Sequence, residues 1–119
     1  MQAWLGRQPS GELAISDWIA TEFSAALSIK MRTGQLADGT RADALALFAR
    51  LRAESVVILP ISGLHFRLAA HFAGEHTVVL RAPDALHMAI CADHGATLCT
   101  LDRRLGAAGL ALGVATILL

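Results

Sequence analysis

A chain of 119 residues without internal repeat, low-complexity tract or composition break fits one domain over residues 1–119, large enough to bury about two-thirds of the surface its unfolded form exposes. At 55% hydrophobic and 17% charged it is no disordered segment, and ten basic and ten acidic residues cancel, so nucleic-acid binding would need a local basic patch. No basic-then-apolar order marks MQAWLGRQPSGE as a signal, Gly106, Gly109 and Gly113 break the uncharged run Leu105–Leu119, and two cysteines make no disulfide framework; the expectation is a reduced cytoplasmic setting with no membrane partner.

Leu13–Ser16 predicts a short buried strand after the loop Gln8-Pro9-Ser10-Gly11. Ser16 suits the N-cap of a helix from Asp17 to about Thr33, with Trp18, Ile19, Phe23, Ala26, Leu27 and Met31 at helical spacing and Gly34 as its stop. Thr40, with Asp43 where a capping box prefers Glu, predicts the start of a second helix running through Leu45, Leu47, Phe48 and Leu51 to about Ala53. Val56–Leu59 is β-branched and closed by Pro60, which predicts a strand. Ser62 opens a helix to about Ala73. His76–Leu80 has strand composition but lies just before Pro83, so strand and loop both fit.

In RAPDALHMAI, Pro83 suits the first helical position, Asp84 falls in the first turn where the helix dipole favours an acid, and Gly95 ends the helix. A strand at Thr97–Leu101, a helix from Arg103 to about Leu112 and a strand at Val114–Leu118 follow. This alternation predicts an α/β fold, a parallel sheet covered by helices on both faces.

Ligands bind open parallel sheets beyond the carboxyl ends of the strands. Asp102 follows Thr97–Leu101 directly, Asp84 opens a helix, and Glu22 interrupts the apolar face made by Trp18, Ile19, Phe23 and Ala26. Each acid also has a local reading: Asp102 as a cap, Asp84 as a dipole partner, Glu22 reaching past its neighbours to water. If the three converge they need a cation, because at ~5 Å and an effective dielectric of ~20 each pair repels by roughly 3 kcal/mol. Oxygen donors suit Mg²⁺ or Mn²⁺. His87, Cys91, His94 and Cys99 offer softer, zinc-type donors, and His87 and Cys91 share a helix face. Cys99 sits within a strand, however, and no CxxC or HExxH spacing occurs. His65 and His71 lack ligand spacing and read as surface or interface residues, and Trp4 and Trp18 as packing residues.

The run LRAPDALHMA, Leu80–Ala89, followed by GATLCTLDRRL, Gly95–Leu105, resembles the C-terminal half of a PIN domain and is most similar to the VapC-type ribonuclease toxins of bacterial toxin–antitoxin pairs. The segment SDWIATEF, Ser16–Phe23, resembles the one that supplies the family's helical metal-binding glutamate, and the similarity runs from about Leu13 to Val114. The resemblance implies a three-layer PIN-like domain. It implies that Glu22, Asp84 and Asp102 are catalytic, metal-binding acids for Mg²⁺ (or Mn²⁺), with Thr100 a polar neighbour supporting one of them or a bound water. The implied reaction is metal-assisted hydrolysis of RNA phosphodiesters, with Arg81, Arg103 and Arg104 as candidates for RNA phosphate contacts. The implied partners are a cognate antitoxin, RNA and a second copy of the chain. The helices at 17–33 and about 40–53 would leave a groove suited to an antitoxin helix.

One departure qualifies the resemblance. The family begins with a strand that carries its first catalytic aspartate, well before the helical glutamate. Here no acid precedes Glu12 and no strand fits before Leu13. That first strand would lie mid-sheet, between those corresponding to Leu13–Ser16 and Thr97–Leu101. The expectation is therefore a PIN-like fold with its first central strand missing, Met1 being an internal methionine of a longer chain. Losing such a strand forfeits about ten ladder hydrogen bonds at roughly 1 kcal/mol net each, against a total stability of about 5–15 kcal/mol. A catalytically impaired fragment that binds antitoxin or RNA without cleaving is the alternative reading.

Overall fold

Strands and helices alternate along the computed structural model, which describes residues 2–119, and they divide into two units, Met1–Pro60 and Ile61–Leu119. The first holds α1 (Gln2–Gly6), β1 (Ala14–Ser16), α2 (Asp17–Arg32), α3 (Asp38–Glu54) and β2 (Val57–Leu59). The second holds α4 (Gly63–Ala73), α5 (Ala82–His94), β3 (Leu98–Thr100), α6 (Arg103–Ala111) and β4 (Thr116–Leu118). The fold is mixed α/β with parallel strand pairing throughout, but the pairing falls into two two-stranded sheets. In the first unit Ala14 is in register with Val57 and Ser16 with Leu59; in the second Leu98 faces Thr116 and Thr100 faces Leu118.

Two helix starts depart from the expected side-chain caps. Ser16 does stand in the extended N-cap conformation before α2, yet its hydroxyl makes no capping bond and is buried without a hydrogen-bond partner among the described residues. The α2 start is instead tied by Asp17, whose carboxylate pairs with Arg52 of α3. Thr40 is no cap at all: α3 begins at Asp38 after Ala37, which places Asp38 in the first turn where the dipole favours it. The segment 76–80 is turn and loop. A short helix, α1, occupies the N-terminal segment in which no element was expected, with the Gln8 amide closing onto the Trp4 carbonyl at 3.0 Å.

Packing is uneven. In the first unit α2 and α3 meet through the stacked rings of Phe23 and Phe48, centroids 4.6 Å apart, and among the described residues only Leu27 and Ser16 are buried. A groove of about 380 Å³ beside these helices is lined by Ala20, Ser24, Phe48, Ala49, Arg52, Ala53 and Ile58. The second unit carries the core: Met88, Leu105, Ala108 and Val114 are buried together, with Phe72, Leu80, Cys91 and Leu98 packed against them. α6 lies close on its sheet because it presents glycine there. A methyl group at Gly109 would meet the Thr116 hydroxyl at 2.1 Å. No helix among the described residues is long and apolar enough to cross a membrane.

Candidate functional site

Asp84 is placed by the most deeply buried helix of the chain. Ala85, Leu86, Met88, Ala89 and Ile90 are at most 4% exposed, so α5 is anchored along its length. α5 begins one residue earlier than expected, at Ala82, with Pro83 still inside the first turn, where its missing N–H leaves no intrahelical bond unmade. Gly95, at φ +65°, ends the helix in the left-handed conformation that glycine adopts without penalty. Asp84 is thereby held half-buried at the start of α5.

Asp102 is placed by hydrogen bonds. It is the N-cap of α6: its Oδ1 accepts from the Arg104 N–H at 2.8 Å and the Leu105 N–H at 3.3 Å. Its own N–H donates to the Thr100 hydroxyl oxygen at 3.0 Å, so Thr100 fixes the backbone from the end of β3. The capping bonds use one carboxylate oxygen. Oδ2 makes no hydrogen bond among the described residues and is available to a ligand.

The two acids share one small cavity, about 140 Å³, lined by Val79, Leu80, Arg81, Asp84, Asp102, Arg104 and Leu105. Two carboxylates beside two guanidiniums make a site that can hold a cation through hard oxygen donors and an anion through charged forks. The donor chemistry fits Mg²⁺ or Mn²⁺, with Asp84 and Asp102 as the residues of this unit that would hold it. Arg103 is the first residue of α6, exposed and outside the cavity lining. Glu22 lies half-buried in α2 of the first unit.

The softer donors sort differently from their sequence order. Among the described residues, His65, Asp93 and His94 form a group of three metal-ligating side chains close enough to share an ion; it includes neither cysteine nor His87. Burial pushes the Cys91 thiol up to about 11, with the neighbouring Cys99 adding to the shift, and burial raises Cys99 as well. Burial thus disfavours the thiolate form at both cysteines. His65 is the larger surprise. Expected as a surface or interface residue, it is 2% exposed within the chain. Its Nδ1 accepts from the Ser62 N–H at 2.9 Å and its Nε2 lies 2.7 Å from Asp93 Oδ2. Histidine in place of the usual Glu or Gln at the third helical position hid this reciprocal cap from a motif reading.

The parallel strand pairing and the cavity that Asp84 and Asp102 share define an α/β class of domain. Within that class the chain matches the PIN domain model over residues 1–109, and it belongs to the PIN domain family. Its fold is similar to that in the crystal structure of FitAcB from Neisseria gonorrhoeae, with a TM-score of 0.69 at 20% identity, over 98% of this chain and 81% of that one. No curated protein sequence matches the chain.

Proposed function

We propose that this PIN-domain chain is a metal-dependent endoribonuclease, the toxin of a VapBC-type toxin–antitoxin pair, hydrolysing RNA phosphodiester bonds in the cytoplasm. The observation that carries the proposal is the placing of Asp84 and Asp102 on one cavity with Arg81 and Arg104. In this reading Asp84 and Asp102 are metal-binding acids, and Glu22, in the first unit, is a metal-binding acid as well. Asp84 and Asp102 would hold a Mg²⁺ or Mn²⁺, which would supply positive charge to polarise the phosphate and lower the pKa of an attacking water. Thr100 fixes the backbone of Asp102, so that the acid's capping oxygen and its outward oxygen keep distinct tasks. Arg81 and Arg104 neutralise and orient the RNA phosphate, and Arg103, exposed at the start of the same helix, extends the contact along the backbone. The groove beside α2 and α3 takes a helix of the cognate antitoxin, with Phe48 and Ile58 as apolar anchors, and a second copy of the chain completes a homodimer.

A second reading, binding of antitoxin or RNA without cleavage, is favoured by one observation: each sheet is only two strands wide, and isolated two-stranded pairings are marginal in water. Incubating the chain with a mixed RNA pool and Mg²⁺ separates the two. Cleavage that EDTA and Asp84→Asn both abolish supports the nuclease. RNA retained on the protein but left intact supports the binding reading.

A further inference from the structure

We propose that His65, Asp93 and His94 form a binding site for a borderline divalent cation of the Zn²⁺ class, at the end of α5 remote from Asp84. The site stands independently of the nuclease reading. One ligand atom from each of the three side chains lies within 4.8 Å of the others, and the two imidazole rings are 5.3 Å apart between centroids. Zinc–nitrogen bonds of about 2.0–2.1 Å in a tetrahedron put donors about 3.3 Å apart, so closure onto an ion needs movements of about 1.5 Å at most. Asp93 and His94 are exposed in the last turn of α5, where such adjustments cost little, whereas His65 is rigidly set in the packing of α4. Two imidazoles and one carboxylate suit zinc better than magnesium, and they leave a fourth position open to water.

The hydrogen bonds of His65 give the site a distinctive consequence. A backbone N–H can only donate, so Nδ1 carries the lone pair facing Ser62, and the neutral ring holds its proton on Nε2, donated to Asp93. An ion at Nε2 requires that proton to leave to solvent while another enters at Nδ1; the ring stays neutral. Nδ1 then no longer accepts from Ser62. Binding at the end of α5 is therefore linked to loss of the hydrogen bond at the start of α4.

Titration of the full chain with ZnCl₂, followed by calorimetry and by ¹⁵N NMR of imidazoles and amides, tests the site. The expected result is zinc binding that shifts the His65 and His94 rings, speeds exchange of the Ser62 amide, and weakens at those rings about tenfold or more in both His94→Ala and Asp93→Asn. Asp93→Asn keeps an acceptor for His65, and His94 is exposed, so both variants keep the packing. The zinc-induced shifts of the His65 and His94 rings should be the same in Asp84→Asn as in the parent. Unmoved His65 and His94 resonances, or equal affinity at those rings in the parent and the two ligand variants, would overturn the site.

Discussion

Asp102 serves the helix with one carboxylate oxygen and the cavity with the other, and substitution separates the two roles. Asp102→Asn keeps a capping acceptor and should leave the melting temperature in metal-free buffer nearly unchanged, whereas Asp102→Ala loses the cap and should cost about 1 kcal/mol. Equal melts for the two variants would show that the cap contributes nothing. Cys91 gives a test by pH. Its pKa is raised in the fold from 9.0 to about 11, so between those values the native chain holds a proton that the unfolded chain has released. The stability it contributes is complete below about pH 9 and is lost as pH rises through 11. Urea midpoints from pH 8 upward should fall more steeply in the parent than in Cys91→Ala, and parallel curves would contradict this. At this scale the sequence was partly legible. Pro83–Asp84 and the TLDRRL run announce their helix starts by local chemistry. The partner of His65 lies far along the chain, and no spacing rule could supply Asp93.

Elements were legible where their ends were punctuated. Gly95, Pro60 and the caps at Ser62 and Asp102 bound their elements within a residue or two, whereas Thr40 misled because a first-turn Asp38 starts α3 without a side-chain cap. α1 is five residues long, which leaves periodicity nothing to work on. Closeness of α6 to its sheet was not legible either, since a glycine in a helix reads only as a weak position. It is testable by a pair of substitutions. A methyl at Gly109 would sit 2.1 Å from Thr116 Oγ1, while at Gly106 the nearest atoms are 3.7 Å away on Leu118. Gly109→Ala should destabilise by about 1–3 kcal/mol through overpacking. Gly106→Ala should be neutral or stabilising by up to about 1 kcal/mol through helix propensity. Thermal melts in which Gly109→Ala matched the parent would refute the close packing.

For the whole molecule the decisive feature is the unequal depth of burial. The second unit holds the buried cluster around Met88 and the fully buried face of α5, while the long α3 buries none of its residues. Native-state hydrogen exchange should accordingly be slowest for the α5 amides between Ala85 and Ile90 and much faster along α3. The opposite order would mean that burial does not set local stability here. The same asymmetry explains what composition could foresee. Strand–helix alternation announced an α/β fold with parallel pairing, but division into two two-stranded sheets depends on which strands find neighbours, a non-local fact. Metal-binding roles are proposed for Asp84 and Asp102 on their shared cavity and for Glu22 in the first unit, and calorimetric titration with Mn²⁺ tests them most directly. The parent should bind, and Glu22→Gln, Asp84→Asn and Asp102→Asn should each weaken binding about tenfold or more, as the loss of a hard, charged oxygen ligand requires. Unchanged Mn²⁺ affinity in all three folded variants would contradict these roles.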